Sequence, residues 1–132
     1  MQLFRVIIPV RDIDAAATFY AALMGAPGER VSRGRHYFKC GATILACWDA
    51  LADGDLEYVA ANPAPVYLST DEPLEAVRER AIAAGANPDT QRGEIGVRPW
   101  GECSFYVTDP WQNPLCLVQA GSEYTGGPIR RA

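Results

Sequence analysis

Few side chains in this chain combine a reactive type with a suggestive position. There is one histidine, His36, so no multi-histidine site can form. Its setting, Arg35-His36-Tyr37-Phe38-Lys39 beside a turn, predicts a partly exposed strand residue. The four cysteines (Cys40, Cys47, Cys103, Cys116) form no C-x-x-C pair, and their apolar surroundings predict small core fillers. No Ser-His-Asp ordering, G-x-S-x-G elbow or phosphate-cradling glycine loop occurs. What remains is Arg5, whose planar fork suits a carboxylate, phosphate or enolate, and Glu102 and Tyr106 as candidate acid–base groups. Trp100, in a Pro-Trp-Gly break, suits stacking on a planar ligand, while Trp111 is expected to pack an Asp-Pro turn. Arg5 and Glu102 have a second reading as an ion pair that neutralises itself.

These residues sit in a chain that repeats its own grammar. Leu3–Val10 reads as a strand with Val6, Ile8 and Val10 alternating against Arg5 and Ile7. Asp12 is a natural N-cap. Ile13, Ala16, Ala17, Tyr20 and Met24 then share a helical face that Gly25 ends. Strands follow around Arg35–Cys40 and Thr43–Trp48. The second half repeats the order, with a strand at Val66–Thr70 and a helix opening at Asp71 and Pro73. Its apolar face is Leu74, Val77, Ala81 and Ala84, and Gly85 stops it. Strands near Glu94–Arg98, Cys103–Thr108 and Pro114–Gln119 complete it. Val6 falls on Val66, Ile8 on Leu68 and Gly25 on Gly85, so two tandem β-α-β-β-β modules in an α+β fold are predicted.

With 132 residues, 48% hydrophobic and 21% charged, the chain holds one sizeable core and no second independent domain. The modules are placed at about 3–48 and 66–119, an acidic linker at 49–65 and a tail at 120–132. Asp49, Asp53, Asp55 and Glu57 fall in that linker without any base, which accounts for the whole net charge of −4. A chain without a basic stripe is a poor partner for nucleic acid or an anionic membrane surface. No apolar run reaches the roughly 18–20 residues that span a bilayer, and the start lacks a signal-peptide pattern. A cytoplasmic location is expected.

The stretches V-I-I-P-V-R-D-I-D-A-A-A-T-F-Y-A-A-L-M-G and S-F-Y-V-T-D-P-W-Q-N-P-L-C-L resemble the vicinal oxygen chelate superfamily, which includes glyoxalases, extradiol dioxygenases and bleomycin-binding proteins. The resemblance runs from Leu3 to about Gln119. It implies an open U-shaped barrel around a cavity, and a homodimer. Gln112 stands where that family usually has glycine, so the turn there is expected to differ in detail.

The family's enzymes hold a divalent metal with His and Glu ligands. The matching positions here are Arg5, the Pro65–Tyr67 stretch, the acid-free Gly41–Trp48 stretch and Cys116. No metal and no cofactor is therefore expected, and a fixed guanidinium would repel a cation. Strand alternation in the implied barrel turns Arg5, Tyr67, Glu102, Ser104, Tyr106, Cys116 and Val118 inward. With Trp100 they make a ligand-binding set: Arg5, Tyr67, Trp100, Glu102, Tyr106 and Cys116. The leading expectation is metal-free binding of a small molecule, for which antibiotic sequestration by a homodimer is one form. The alternatives are a metal-independent lyase or isomerase, and an interaction or regulatory domain whose cavity its own side chains fill.

Overall fold

The computed structural model describes residues 1–128, so the end of the expected tail lies outside the described residues. The fold is α+β with two sheets and two long helices. The chain forms two compact units: residues 1–62 with 111–113, and residues 63–110 with those from 114 onward.

In the first unit, β1 (Arg5–Pro9) pairs in parallel with β4 (Thr43–Trp48), which pairs antiparallel with β3 (Arg35–Cys40). A further strand, β2 (Glu29–Ser32), lies at the edge of this open sheet. The sequence reading leaves it unassigned because its Glu29, Arg30 and Ser32 give no apolar alternation, as befits an exposed edge. Helix α1 (Ile13–Met24) begins where expected, with the Asp12 carboxylate accepting the Ala15 N–H at 3.0 Å. It ends on Gly25 at φ 70. Its buried residues are Ile13, Ala16, Phe19, Tyr20 and Leu23. Phe19 and Leu23 thus replace the expected Ala17 and Met24: the stripe is rotated toward the larger side chains, which reach further into the core.

The acidic stretch is tied down at its start. Asp49 is buried, and Asp53 accepts from Ser32 Oγ at 2.8 Å, the Gly34 N–H at 2.7 Å and Trp48 Nε1 at 3.2 Å. Burial works against the Asp53 carboxylate, but these donors and the nearby Arg35 hold its pKa below the usual range. Further along, Asn62 donates from Nδ2 to the Ile7 carbonyl at 3.0 Å. Trp111 packs edge-on against Phe19 at 6.4 Å, and Asn113 is fully buried. Gln112 adopts a φ of 71, the left-handed region that glycine occupies without strain.

In the second unit, β5 (Val66–Thr70) runs parallel to β9 (Pro114–Gln119), which is antiparallel to β8 (Cys103–Thr108). Helix α2 (Leu74–Ala84) buries Leu74, Val77 and Ala81, while Ala84 is only half-buried. Its start differs from the expected cap: the cap position is Pro73, which offers no side-chain acceptor. A bidentate Arg80–Glu72 pair, with both contacts at 2.6 Å, brackets that turn instead. A short strand that the sequence reading leaves unassigned, β6 (Asn87–Pro88), precedes the one expected near Glu94–Arg98, which is only β7 (Gly96–Val97); both pair with β8. Between them lies a turn in which Asp89 accepts the N–H groups of Gln91 at 3.0 Å and Arg92 at 2.8 Å.

Candidate functional site

Register fixes the site in the second unit. Tyr67 and Tyr106 both pair with Cys116, so the three side chains form one row across β5, β9 and β8. Ser104 and Ser69 flank Val118 in the next row. The intervening residues Phe105, Leu115 and Leu117 are buried on the other face. Alternation therefore turns Tyr67, Ser104, Tyr106, Cys116 and Val118 to one face.

Tyr106, Cys116 and Val118 form a small buried cluster there. The Tyr106 hydroxyl is 3.2 Å from that of Tyr67, and their rings meet edge to face at 6.1 Å. Burial, reinforced by Tyr67 and Cys116, drives the Tyr106 pKa far above the usual tyrosine range. Burial also raises the Cys116 thiol, against the hydrogen bonds from Tyr106 and Ser104. Both groups are therefore neutral donors at physiological pH, and neither is a ready base or nucleophile.

Two residues absent from the sequence-based site complete this face. Arg92 and Arg98 lie over the Tyr106 ring, at 4.2 and 5.3 Å from its centroid. Arg98 donates to Ser104 Oγ at 2.9 Å and to the Ser104 carbonyl at 2.7 Å, which fixes the β7–β8 connection. Only the turn geometry brings them there; their spacing in the sequence carries no periodic signal.

Above the row opens a cavity of about 460 Å³, lined by Tyr67, Trp100, Glu102, Val118, Glu123 and Tyr124 among others. Among the described residues, none of those lining it is basic. Trp100 Nε1 donates to Glu102 Oε1 at 2.7 Å, and the Tyr124 N–H donates to Glu102 Oε2 at 2.8 Å. The tail thus supplies one wall. Tyr67, Trp100 and Glu102 meet at this cavity, with Tyr106 and Cys116 in the layer beside it. Arg5 belongs to the first unit, where its guanidinium lies over Phe4 at 5.1 Å and Tyr37 at 5.2 Å.

The donors do not fit the metal that the family's enzymes carry. Among the described residues no three His, Cys, Asp or Glu side chains group to hold an ion. His36 is buried, which corrects the expectation of partial exposure. Its Nε2 faces the Pro27 carbonyl at 2.9 Å and its Nδ1 accepts from Arg30 Nε at 3.3 Å. Both ring nitrogens are used, so it is a structural histidine. No helix of the described residues is long and apolar enough to cross a membrane.

Residues 5–118 match the family model described as "Glyoxalase-like domain". No curated protein matches the chain. Among solved structures, a glyoxalase-related enzyme from Fulvimarina pelagi superposes with a TM-score of 0.75 at 19% identity, covering 100% of this chain and 97% of that one. A glyoxalase/bleomycin resistance protein from Albidiferax ferrireducens gives 0.73 at 21% identity, covering 89% and 97%. A lactoylglutathione lyase from Agrobacterium tumefaciens gives 0.65 at 19%, covering 90% and 93%. At such identities the likeness is one of fold.

Proposed function

The chain belongs to the glyoxalase-like domain family of the vicinal oxygen chelate superfamily, and we propose that it binds a small organic cation without a metal and without turning it over. The observation that carries this reading is the convergence of three aromatic rings (Tyr67, Trp100, Tyr124) and two carboxylates (Glu102, Glu123) on one cavity whose described lining residues include no base. Aromatic faces attract a desolvated cation through their quadrupoles, and a carboxylate beside them adds direct Coulomb attraction. A volume of about 460 Å³ lies within the range of small-molecule pockets. That space also argues against a cavity filled by its own side chains.

Turnover is the weaker reading. Tyr106 and Cys116 are held neutral, and both oxygens of Glu102 already accept hydrogen bonds. Sequestration of a cationic drug by a homodimer is the form of binding we favour.

The test is tryptophan fluorescence and calorimetry with a panel of aromatic and alkyl ammonium compounds, alongside metal analysis of protein purified without chelator. The expected result is saturable binding of at least one cation, weakened tenfold or more by Glu102→Gln and by Trp100→Leu. Stoichiometric metal, stabilised by Ni, Mn, Zn or Fe(II), would overturn it. So would a cation affinity that both substitutions leave unchanged.

A further inference from the structure

The tail that follows β9 is built in two parts. Up to Ala120 it is fixed to the end of β5. The Ala120 N–H donates to the Thr70 carbonyl at 2.9 Å, and Gln119 Nε2 donates to the Thr70 and Glu72 carbonyls, both at 3.0 Å. A pivot comes next. Gly121 has a φ of 95, where glycine is at ease, and a side chain there would meet open space. Ser122 anchors the pivot to the sheet: its Oγ accepts the Cys103 N–H at 3.1 Å and donates to the Gln119 carbonyl at 2.7 Å.

Residues 123–128 are held differently. Among the described residues, a single hydrogen bond joins them to the chain before Gly121: the Tyr124 N–H donates to Glu102 Oε2 at 2.8 Å. Their other bonds are local, from the Gly121 N–H to Glu123 Oε1 and from the Tyr124 hydroxyl to the Gly127 carbonyl. The segment therefore has a shape of its own and one outside tie. That tie ends on the carboxylate that also holds the Trp100 indole, at 2.7 Å. The cavity wall is divided along the same line: Tyr67, Trp100, Glu102 and Val118 precede the pivot, and Glu123 and Tyr124 follow it.

We propose that residues 123–128 are a hinged flap on this cavity, pivoting at Gly121 and Ser122, with the Glu102 carboxylate as its latch and a bound cation as what holds it shut. Opening breaks one hydrogen bond and removes one wall, so it costs far less than opening the sheet behind it. Closing brings Glu123 and Tyr124 back against the ligand. A ligand that touches both sides binds the closed form alone and shifts the population toward it. Glu102 is then a positioning residue for the tail as well as a contact for the cation. The closing step rests on the cation-binding reading given above; the latch does not.

The experiment is amide hydrogen exchange of the full chain, read by NMR, without ligand and with benzyltrimethylammonium, whose binding tryptophan fluorescence follows. In the free protein the Tyr124 amide should exchange at least tenfold slower than an unstructured one and at least tenfold faster than the amides of β8 and β9. Glu102→Gln leaves one carbonyl oxygen for two donors, and Ser122→Ala removes the anchor of the pivot. Each should speed Tyr124 exchange about tenfold. The β8 and β9 amides, unchanged from the parent, report that each variant folds. Saturating benzyltrimethylammonium should slow Tyr124 exchange fivefold or more in the parent. An unprotected Tyr124 amide in the free parent would overturn the latch, as would one protected as deeply as β8. Saturable binding that leaves Tyr124 exchange unchanged would overturn the closing step alone. No saturable binding would overturn the cation reading and the closing step with it, while exchange in the free protein still decides the latch.

Discussion

Asn113 donates from Nδ2 to the Pro9 carbonyl at 2.6 Å, and its Oδ1 accepts the Asn62 N–H at 2.9 Å. One buried amide thus joins the end of β1, the end of the acidic stretch and the segment that follows the Asp-Pro turn. Asn therefore follows the Trp111-Gln112 pair after the Asp-Pro turn for a physical reason: that position must both donate and accept, and its side chain is excluded from water. Asn113→Ala leaves the buried Pro9 carbonyl and the half-buried Asn62 N–H without this partner. The expected loss is about 1–3 kcal/mol, measured by urea unfolding at neutral pH. A loss near zero would mean that water or a neighbour takes over both bonds.

The pH dependence of stability follows from three carboxylates. Hydrogen bonds from Arg80 hold Glu72 low, backbone N–H groups hold Asp89 low, and Asp53 is low by the donors described above. A folded pKa below the unfolded one stabilises the protein above the unfolded value. That stabilisation is lost as pH falls through the folded value. Melting temperature should therefore be flat near neutrality and fall below about pH 4, the unfolded carboxylate range. Asp53→Asn should lower stability at pH 7, with its deficit shrinking as the pH drops. A deficit that stays constant into acid would show that Asp53 acts by shape alone.

The regular elements are legible in the sequence where one face must be buried and a cap marks the end. Asp12, Gly25 and Gly85 act as their chemistry predicts, and β8 and β9 fall at the expected residues because their apolar pattern is long. Legibility fails where hydrogen bonds decide instead of burial. The edge strand β2 is polar, and β6, a two-residue strand just ahead of the Asp89 turn, has no apolar alternation to mark it. His36 looks exposed by its charged neighbours Arg35 and Lys39, yet Arg30, paired with it from β2, covers one ring nitrogen. At the cavity, alternation alone places Tyr67, Tyr106 and Cys116 in one row. Arg92 and Arg98 reach the Tyr106 ring through a turn whose geometry no periodicity encodes.

Gln112 is the one non-glycine residue with positive φ among those described, at 71°. The left-handed conformation costs an L side chain roughly 1–2 kcal/mol, part of which a glycine returns through its freer unfolded chain. Gln112 is exposed, so its side chain contributes little packing. Gln112→Gly should therefore stabilise by about 0.5–1 kcal/mol in urea unfolding. Gln112→Val should destabilise, since branching at Cβ makes that region worse. The opposite order would mean that the Gln112 side chain makes a contact worth more than the strain.

Tyr106 offers a spectroscopic reading of the cavity floor. Six tyrosines absorb as phenolate when they ionise, and an unburied one does so near pH 10. Burial keeps Tyr106 protonated well beyond that point, so a titration of the folded protein should show a late component. Tyr106→Phe should remove it and leave the earlier transitions in place. The linkage has a definite sign. An acid whose folded pKa is raised leaves stability untouched below the unfolded value and erodes it as pH climbs above. The parent should therefore lose stability above about pH 10 more steeply than Tyr106→Phe. Tyr67→Phe removes the facing hydroxyl, 3.2 Å away, and should move the late component down, since that hydroxyl is one of the groups that raises it. If the Tyr106→Phe titration matched the parent, the buried phenol would not be the late-titrating group, and water would have to reach the row formed by Tyr67, Cys116 and Tyr106.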